Sequence, residues 1–209
     1  MISAIPTTQG DDSAPPTLTS SSSATDLTAG ERLVVSPSRA AAQALLHEPA
    51  DQAVAVIDSA PRLRGAERPS LAAVDRHLRG RPAAGLLMLM DARAESGTES
   101  VARVRLVERG LRPEIQVWLT SEIRVDLLLD GWLVVECTSY EFHSSPKQYN
   151  EDRVRIATLI ALRYVVIEVS YHQVFDDWES VWAAISRLLA RGRPQNPTGG
   201  ATKVGDPVT

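Results

Sequence analysis

Between Ile123 and Thr138 the chain reads IRVDLLLDGWLVVECT, two β-type apolar runs joined through Asp130-Gly131. An Asp-Gly pair between such runs is a strong hairpin signal, so residues 123–129 and 132–138 are predicted to pair as antiparallel strands. Each strand is broken by one carboxylate, Asp126 in the first and Glu136 in the second. A carboxylate in a strand core is costly unless its charge is compensated. Two within reach of one another repel, and a divalent cation relieves the repulsion, as when hard oxygen ligands hold Mg²⁺ beside a phosphate. Read from the residues alone, either carboxylate has an alternative, reaching solvent at a strand edge or pairing with an arginine such as Arg124. Turn length decides whether the two meet. A two-residue turn pairs Leu129 with Trp132 and sends Asp126 and Glu136 to opposite faces. A three-residue loop, Leu129-Asp130-Gly131, pairs Leu128 with Trp132 and makes them diagonal neighbours on one face. The odd-length loop, or a bulge, is the expectation.

Around this hairpin the signals continue in order. Ser96 followed by Glu99 fits a capping box, and Val101, Val104, Val107 and Leu111 recur at helical spacing until Gly110 and Pro113 end the run. Residues 114–119 (EIQVWL) alternate, which predicts a half-buried strand with Ile115, Val117 and Leu119 on one face. After the polar loop SYEFHSSPKQ, residues 149–163 read as a helix, 164–170 as a buried strand, and 177–191 as a last helix with Trp178, Val181, Trp182, Ile185, Leu188 and Leu189 on its apolar side. The order is α-β-β-β-α-β-α, an α/β domain over residues 93–192 with a mixed sheet and helices packed on it. Trp178 and Trp182 are expected in the core, as are Trp118 and Trp132, since strand tryptophans are more often core than base-stacking platforms. Strand alternation turns Cys137 away from the face of Glu136, as a core thiol rather than a nucleophile.

Ahead of this domain, residues 31–92 are Ala-, Leu- and Arg-rich, with helix-like pieces near 38–47, 51–60, 70–78 and 83–91. The run LLMLM at 86–90 is read as a helix side packed on the next domain. Residues 1–30, rich in Ser, Thr and Pro without an aromatic residue, and 193–209 carry too little apolar surface to offset chain entropy and are expected to be disordered. A fragment spanning 31–193 is accordingly expected to keep the cooperative melt of the whole chain. No apolar run approaches membrane-spanning length, so no membrane partner is expected and the cytoplasm is the expected compartment. One cysteine and four histidines leave no material for a disulfide and little for a structural zinc site. A net charge of −4 argues against a broad basic surface, although Arg103, Arg105, Arg109 and Arg112, and Lys147, Arg153, Arg155 and Arg163, are spaced to give two helices basic strips.

The residues from Glu95 through Tyr171, and above all RVDLLLDGWLVVECTSYEFHSSPKQYNEDRVR, resemble the PD-(D/E)XK nuclease superfamily, closest to its Vsr-like "domain of unknown function 559" branch. The resemblance takes in the domain at 93–192, about half the chain. The family's helix glutamate, strand aspartate, strand glutamate, histidine loop and Asp-Arg helix start are matched by Glu99, Asp126, Glu136, His143 and Asp152-Arg153. It implies a restriction-endonuclease-like core and a metal-dependent endonuclease hydrolysing phosphodiester bonds in nucleic acid, DNA more than RNA. Asp126 and Glu136 would ligate Mg²⁺ or Mn²⁺ weakly, with the Cys137 backbone carbonyl as third ligand. His143 would move a proton, Thr138, Lys147 and Arg153 would contact the nucleic acid, and Glu99 and Asp152 would support the site. Three departures are visible: Thr138 stands where the superfamily has a lysine, Ile156 where many relatives are acidic, and the zinc site of the repair enzymes is missing. A second class fits the same departures, a catalytically inactive nuclease-fold module acting as a regulator or antitoxin-like partner. A third possibility makes residues 31–92 the working surface, for a protein partner.

Overall fold

Local chemistry fixes the ends of the elements. A computed structural model describes residues 35–62, 68–138 and 146–194. Helix α1 (Pro37–His47) starts with a proline in its first turn and is capped by the Ser36 hydroxyl, which accepts from the Arg39 N–H. Helices α2 (Ala50–Ser59) and α3 (Leu71–Leu78) follow, then a 3₁₀ helix over Pro82–Leu89. Helix α4 (Gly97–Glu108) is capped by Ser96, which accepts from the Glu99 N–H at 3.1 Å. The reciprocal half of the expected capping box is absent. The Glu99 carboxylate takes the Glu95 N–H instead, at 2.8 Å, and is thereby held toward the sheet. Gly110, at φ 83°, ends α4 in a Schellman turn, with Leu111 N–H on the Leu106 carbonyl and Gly110 N–H on that of Val107.

Four strands then form one sheet in the order β1 (Glu114–Trp118), β2 (Arg124–Leu129), β3 (Leu133–Thr138), β4 (Val165–Ser170). The first three run antiparallel, and α5 (Pro146–Ala161) crosses over to make β4 parallel to β3. A short helix, α6 (Tyr171–Phe175), not legible as a separate element in the sequence, opens on a full Ser170–Gln173 capping box, and α7 (Trp178–Arg191) closes the order. The chain is thus a mixed α/β protein. None of its described helices is long and apolar enough to cross a membrane.

One sheet face carries the main core, where Leu127, Leu129, Leu133, Val135 and Val169 pack with Val101, Ala102 and Leu106 of α4 and Val181 and Ile185 of α7. The other face, with Val125, Leu128 and Val134, packs with Leu159 of α5. A third cluster joins α1, α2 and α3 through Ala41, Leu45, Ala53, Ile57, Val74 and Leu78. The run at 86–90 departs from expectation: Leu86, Leu87 and Met90 close this helical cluster rather than packing on the sheet domain, and Met88 stands 88% exposed. Three short helices cannot enclose their own apolar sides, and the 3₁₀ segment completes the enclosure.

Helix α2 faces both ways, with Ala55 in the main core and Ala53 and Ile57 in the helical one. Polar pairs fasten it to α4. Asp58, fully buried, accepts from Arg103 at 2.9 Å and from the Asp91 N–H at 2.8 Å, and Asp51 accepts from Arg105 at 2.5 Å. Arg105 also donates to the Val174 carbonyl, and Arg109 pairs with Glu179 over the Trp182 ring. Arg103 and Arg105 of the first basic strip are therefore spent on buried acids, while Arg109 meets an exposed one.

Candidate active site at a fork in the sheet

The Asp130-Gly131 turn sets the geometry of the site. Both residues adopt left-handed backbone, φ 50° and 69°, and Trp132 N–H returns to the Leu129 carbonyl. The ladder resumes at Leu129↔Leu133, then Leu128↔Val134 and Leu127↔Val135, so the loop has three residues, 130–132. The odd length matches the expectation, but the additional residue is Trp132 rather than Leu129. The register therefore moves by two residues, and its continuation sets Asp126 directly opposite Glu136 instead of diagonal to it. Buried Trp132 drives the shift, since its ring belongs to the main core.

Beyond Leu127↔Val135 the β2–β3 ladder opens. By register the next bonded pair would be Val125 and Cys137, yet the Cys137 N–H donates to Asp126 Oδ2 at 2.8 Å. The Arg124 carbonyl is taken by the Arg155 guanidinium at 2.6 Å, reaching in from α5. Backbone groups left by the fork are thus satisfied by the side chains that line it. The same Arg155 Nη2 donates to Glu136 Oε1 at 2.7 Å.

On the edge strand the fork is matched by a twist. Gln116 has φ 54°, a conformation that L-residues adopt at a cost. Residues two apart on a strand ordinarily share a face. Here Ile115 joins the main core while Val117 and Leu119 join the α5 side, contrary to the single face expected of 114–119, and in β2 Leu127 and Val125 divide in the same way. Trp118, expected in the core, is carried outward to 62% exposure under the Arg124 guanidinium. The twisted residue is itself a ligand to the acids: Gln116 Nε2 donates to Glu99 Oε2 at 2.8 Å and to Asp126 Oδ1 at 3.3 Å.

Glu99, Asp126 and Glu136 accordingly form one acidic group from α4, β2 and β3. Burial lifts the Glu136 pKa to about 7, with the Asp126 charge adding to the rise and Arg155 opposing it. Burial also raises Glu99, which Asp126 pushes further against the bonds from Glu95 and Gln116. The Cys137 thiol packs toward the main core, and burial and the three acids push it well above the ordinary thiol range, which disfavours the thiolate that a nucleophile needs.

The remaining expected residues stand apart. The Thr138 hydroxyl donates to the Val169 carbonyl at 3.3 Å. Lys147 is exposed beside Glu151 at 3.7 Å and lines, with Ile123, Val154, Arg155 and Thr158, a groove of about 970 Å³ along α5. Arg153 pairs with Glu168 at 3.5 Å. Asp152 is exposed on α5, and no hydrogen bond among the described residues ties it to the carboxylates. His143 lies outside the described residues. Gln116 and Arg155 are the site residues that sequence reasoning missed. By sequence Arg155 falls in a surface strip, and the one available signal is its place on the helix after the glutamate strand.

Two proteins of Mycobacterium tuberculosis, the uncharacterized proteins MT2308 (strain CDC 1551 / Oshkosh) and Rv2248 (strain H37Rv), are each 30% identical to this chain over 172 residues. The match covers 78% of this chain and 64% of the length of each of these curated relatives. No family model matches the chain, and no solved structure matches it.

Proposed function

We propose that the fork is a divalent-cation-dependent phosphodiesterase centre, on a restriction-endonuclease-like core of the Vsr-like kind, acting on nucleic acid, DNA more than RNA. The observation that carries this reading is the opening of the β2–β3 ladder at Asp126, which brings two strand carboxylates face to face with one arginine to balance them. Such an arrangement is costly for stability alone and matches the placement of perturbed acids at functional sites.

The donor chemistry fits Mg²⁺ or Mn²⁺. Asp126 and Glu136 offer hard oxygens, and the raised Glu136 marks a site short of positive charge. N–H and C=O of a strand residue project to the same side, so the Cys137 carbonyl also faces the fork. Among the described residues no group of three or more His, Cys, Asp or Glu side chains is arranged to hold an ion. The two carboxylates would therefore share the ion with the Cys137 carbonyl and solvent, as befits weak Mg²⁺ binding. When bound, the ion neutralises phosphate charge and lowers the pKa of water. The chain's own groups do the rest. The Cys137 N–H and the Gln116 amide hold Asp126, and Gln116 ties Asp126 to Glu99. Arg155, at Glu136, supplies from α5 the cation that Thr138 does not supply from β3, and a phosphate entering the fork would share it. His143 keeps the proton-transfer role that the sequence suggests, and Lys147 lies along the approach past Arg155.

The test is hydrolysis of duplex, single-stranded and mismatched substrates with Mg²⁺ or Mn²⁺. Wild-type protein should cleave, Asp126→Ala and Glu136→Ala should be folded and silent, and His143→Ala should be slower by roughly 10²–10⁴-fold. Equal cleavage by Glu136→Ala, or neither cation binding nor cleavage by the wild type, would end the enzyme reading. One observation favours a second reading, a silent nuclease-fold binding module: Arg155 already pairs with Glu136 as an internal cation. In that case nucleic acid binds without cleavage, and Mg²⁺ leaves the melting temperature unchanged.

A further inference from the structure

Three arginines of the basic helix strips, Arg103, Arg105 and Arg155, are tied to the buried acids Asp58, Asp51 and Glu136, which leaves open where a nucleic-acid strand would be gripped. The structure offers a different surface, on the edge strand beside the fork. A concavity of about 590 Å³, within the range of about 300–1,000 Å³ typical of small-ligand sites, is lined by Arg62, Ala92, Arg93, Glu95, Gln116, Trp118 and Arg124. Three guanidiniums meet one lining carboxylate. Arg62 donates to the Asp58 and Ala92 carbonyls and, among the described residues, to no carboxylate. Arg93 is braced by both oxygens of Asp91 while its side chain stays 67% exposed, and Arg124 is held by Glu95 at 2.7 Å. The indole of Trp118 is 62% exposed with the Arg124 guanidinium over its ring at 5.6 Å, and Gln116, on the same wall, is bonded to Asp126.

We infer that this concavity is a stacking platform for an unpaired nucleotide of a DNA strand, with a base on the Trp118 ring and its phosphates on Arg62, Arg93 and Arg124, which presents the adjoining phosphodiester to the fork. The inference rests on the phosphodiesterase reading and narrows its substrate to single-stranded or locally unpaired DNA. Three physical points carry it. A large exposed indole on an edge strand is an unburied apolar surface whose face not covered by Arg124 suits a base, and bases within a duplex already stack on their neighbours. Guanidiniums braced in place grip phosphate with less entropy lost than free lysines would. The amide of Gln116 links platform and acids, so a strand seated here lies beside Asp126 without crossing the sheet.

Binding of a labelled, mixed-sequence single strand and of the matching blunt duplex to the full chain, measured in EDTA, separates this inference from catalysis. The wild type should prefer the single strand. Trp118→Ala should weaken that binding by tenfold or more on the order expected for one stacked base, and Trp118→Phe should restore most of it. Arg62→Ala should reduce the salt dependence of log K by roughly 0.7, one phosphate contact on a single strand. Because Trp118 is exposed, the thermal melts of its variants should match the wild type. Equal affinity of wild type and Trp118→Ala for the strand, or equal affinity of the wild type for strand and duplex, overturns the platform. Cleavage with Mn²⁺ is then read separately. Cleavage that persists with unchanged strand binding in Trp118→Ala sinks the platform and spares the nuclease. Strand binding that depends on Trp118, without cleavage of any substrate, sinks the nuclease and keeps the platform.

Discussion

Glu136 is 7% exposed between an aspartate and an arginine, and its behaviour with pH follows from that position. Its folded pKa, about 7, lies above the unfolded value near 4.5, so the folded state favours its protonated form. The corresponding stability is complete below about pH 4.5 and is lost as pH rises toward 7, by an amount on the order of 1–3 kcal/mol. Glu136→Gln should therefore flatten the pH dependence of the melting temperature over that window, and a wild type whose profile matches this variant would contradict the assignment. Arg155 sharpens the test. Arg155→Met leaves Glu136 and the Arg124 carbonyl without their donor, a penalty that grows once Glu136 is ionised, so the variant should lose more stability at pH 8 than at pH 5. Gln116 is the other residue whose role no sequence rule announces. Gln116→Ala should destabilise through two lost amide bonds, and Gln116→Gly should recover part of that loss by relieving the left-handed backbone cost that Gln116 already bears.

At the level of elements, helix α5 ends on an unusual cap. Arg163 has φ 70° where a glycine is the ordinary choice, with Tyr164 N–H on the Leu159 carbonyl and Arg163 N–H on that of Ile160. Arg163→Gly should raise stability by roughly 0.5–1 kcal/mol, read as a higher melting temperature; a lower one would mean the guanidinium holds something of its own. The pairing of α2 with α4 makes the opposite prediction. Asp58 is buried with Arg103 as its cation, and Asp58→Ala strands that charge in the interior, at a cost of roughly 3–5 kcal/mol by denaturant unfolding. Removing residues 31–92 would in addition bare the α4 surface that Ala55 covers, and the remaining sheet domain should lose its cooperative melt. A sheet domain that melts as sharply without them would show that α2 is an accessory rather than a wall of the core.

For the whole molecule, cation binding at the proposed centre would be a stability term. A cation that binds the folded chain alone stabilises it by mass action, about 2.7 kcal/mol at a hundredfold excess over Kd. Mn²⁺ should therefore raise the melting temperature of the wild type and leave Asp126→Asn unmoved, and the gain should grow from pH 6 to pH 8 as Glu136 gives up its proton. An equal gain in both proteins would place the ion elsewhere.

Much of the architecture is legible in the chain because it is written in local periodicity. The Asp130-Gly131 turn, the Ser96 cap, the apolar runs of β2, β3 and β4 and the stripe of α7 each follow from neighbours within a few residues, and so does the presence of one carboxylate in each of two adjoining strands. What the sequence by itself determined is therefore the order of the main elements, α6 excepted, and the presence of two strand carboxylates. Their surroundings were decided by tertiary structure. That Trp132 rather than Leu129 joins the loop depends on a core it enters from a distance, and with it depends the register that sets Asp126 against Glu136. The left-handed turn at Gln116 is imposed where two sheet faces must exchange their apolar partners, and no pattern in EIQVWL records it. Arg155 reaches Glu136, and Arg103 reaches Asp58, across separations that only packing closes, because a charge seeks the nearest buried opposite charge wherever the chain brings it.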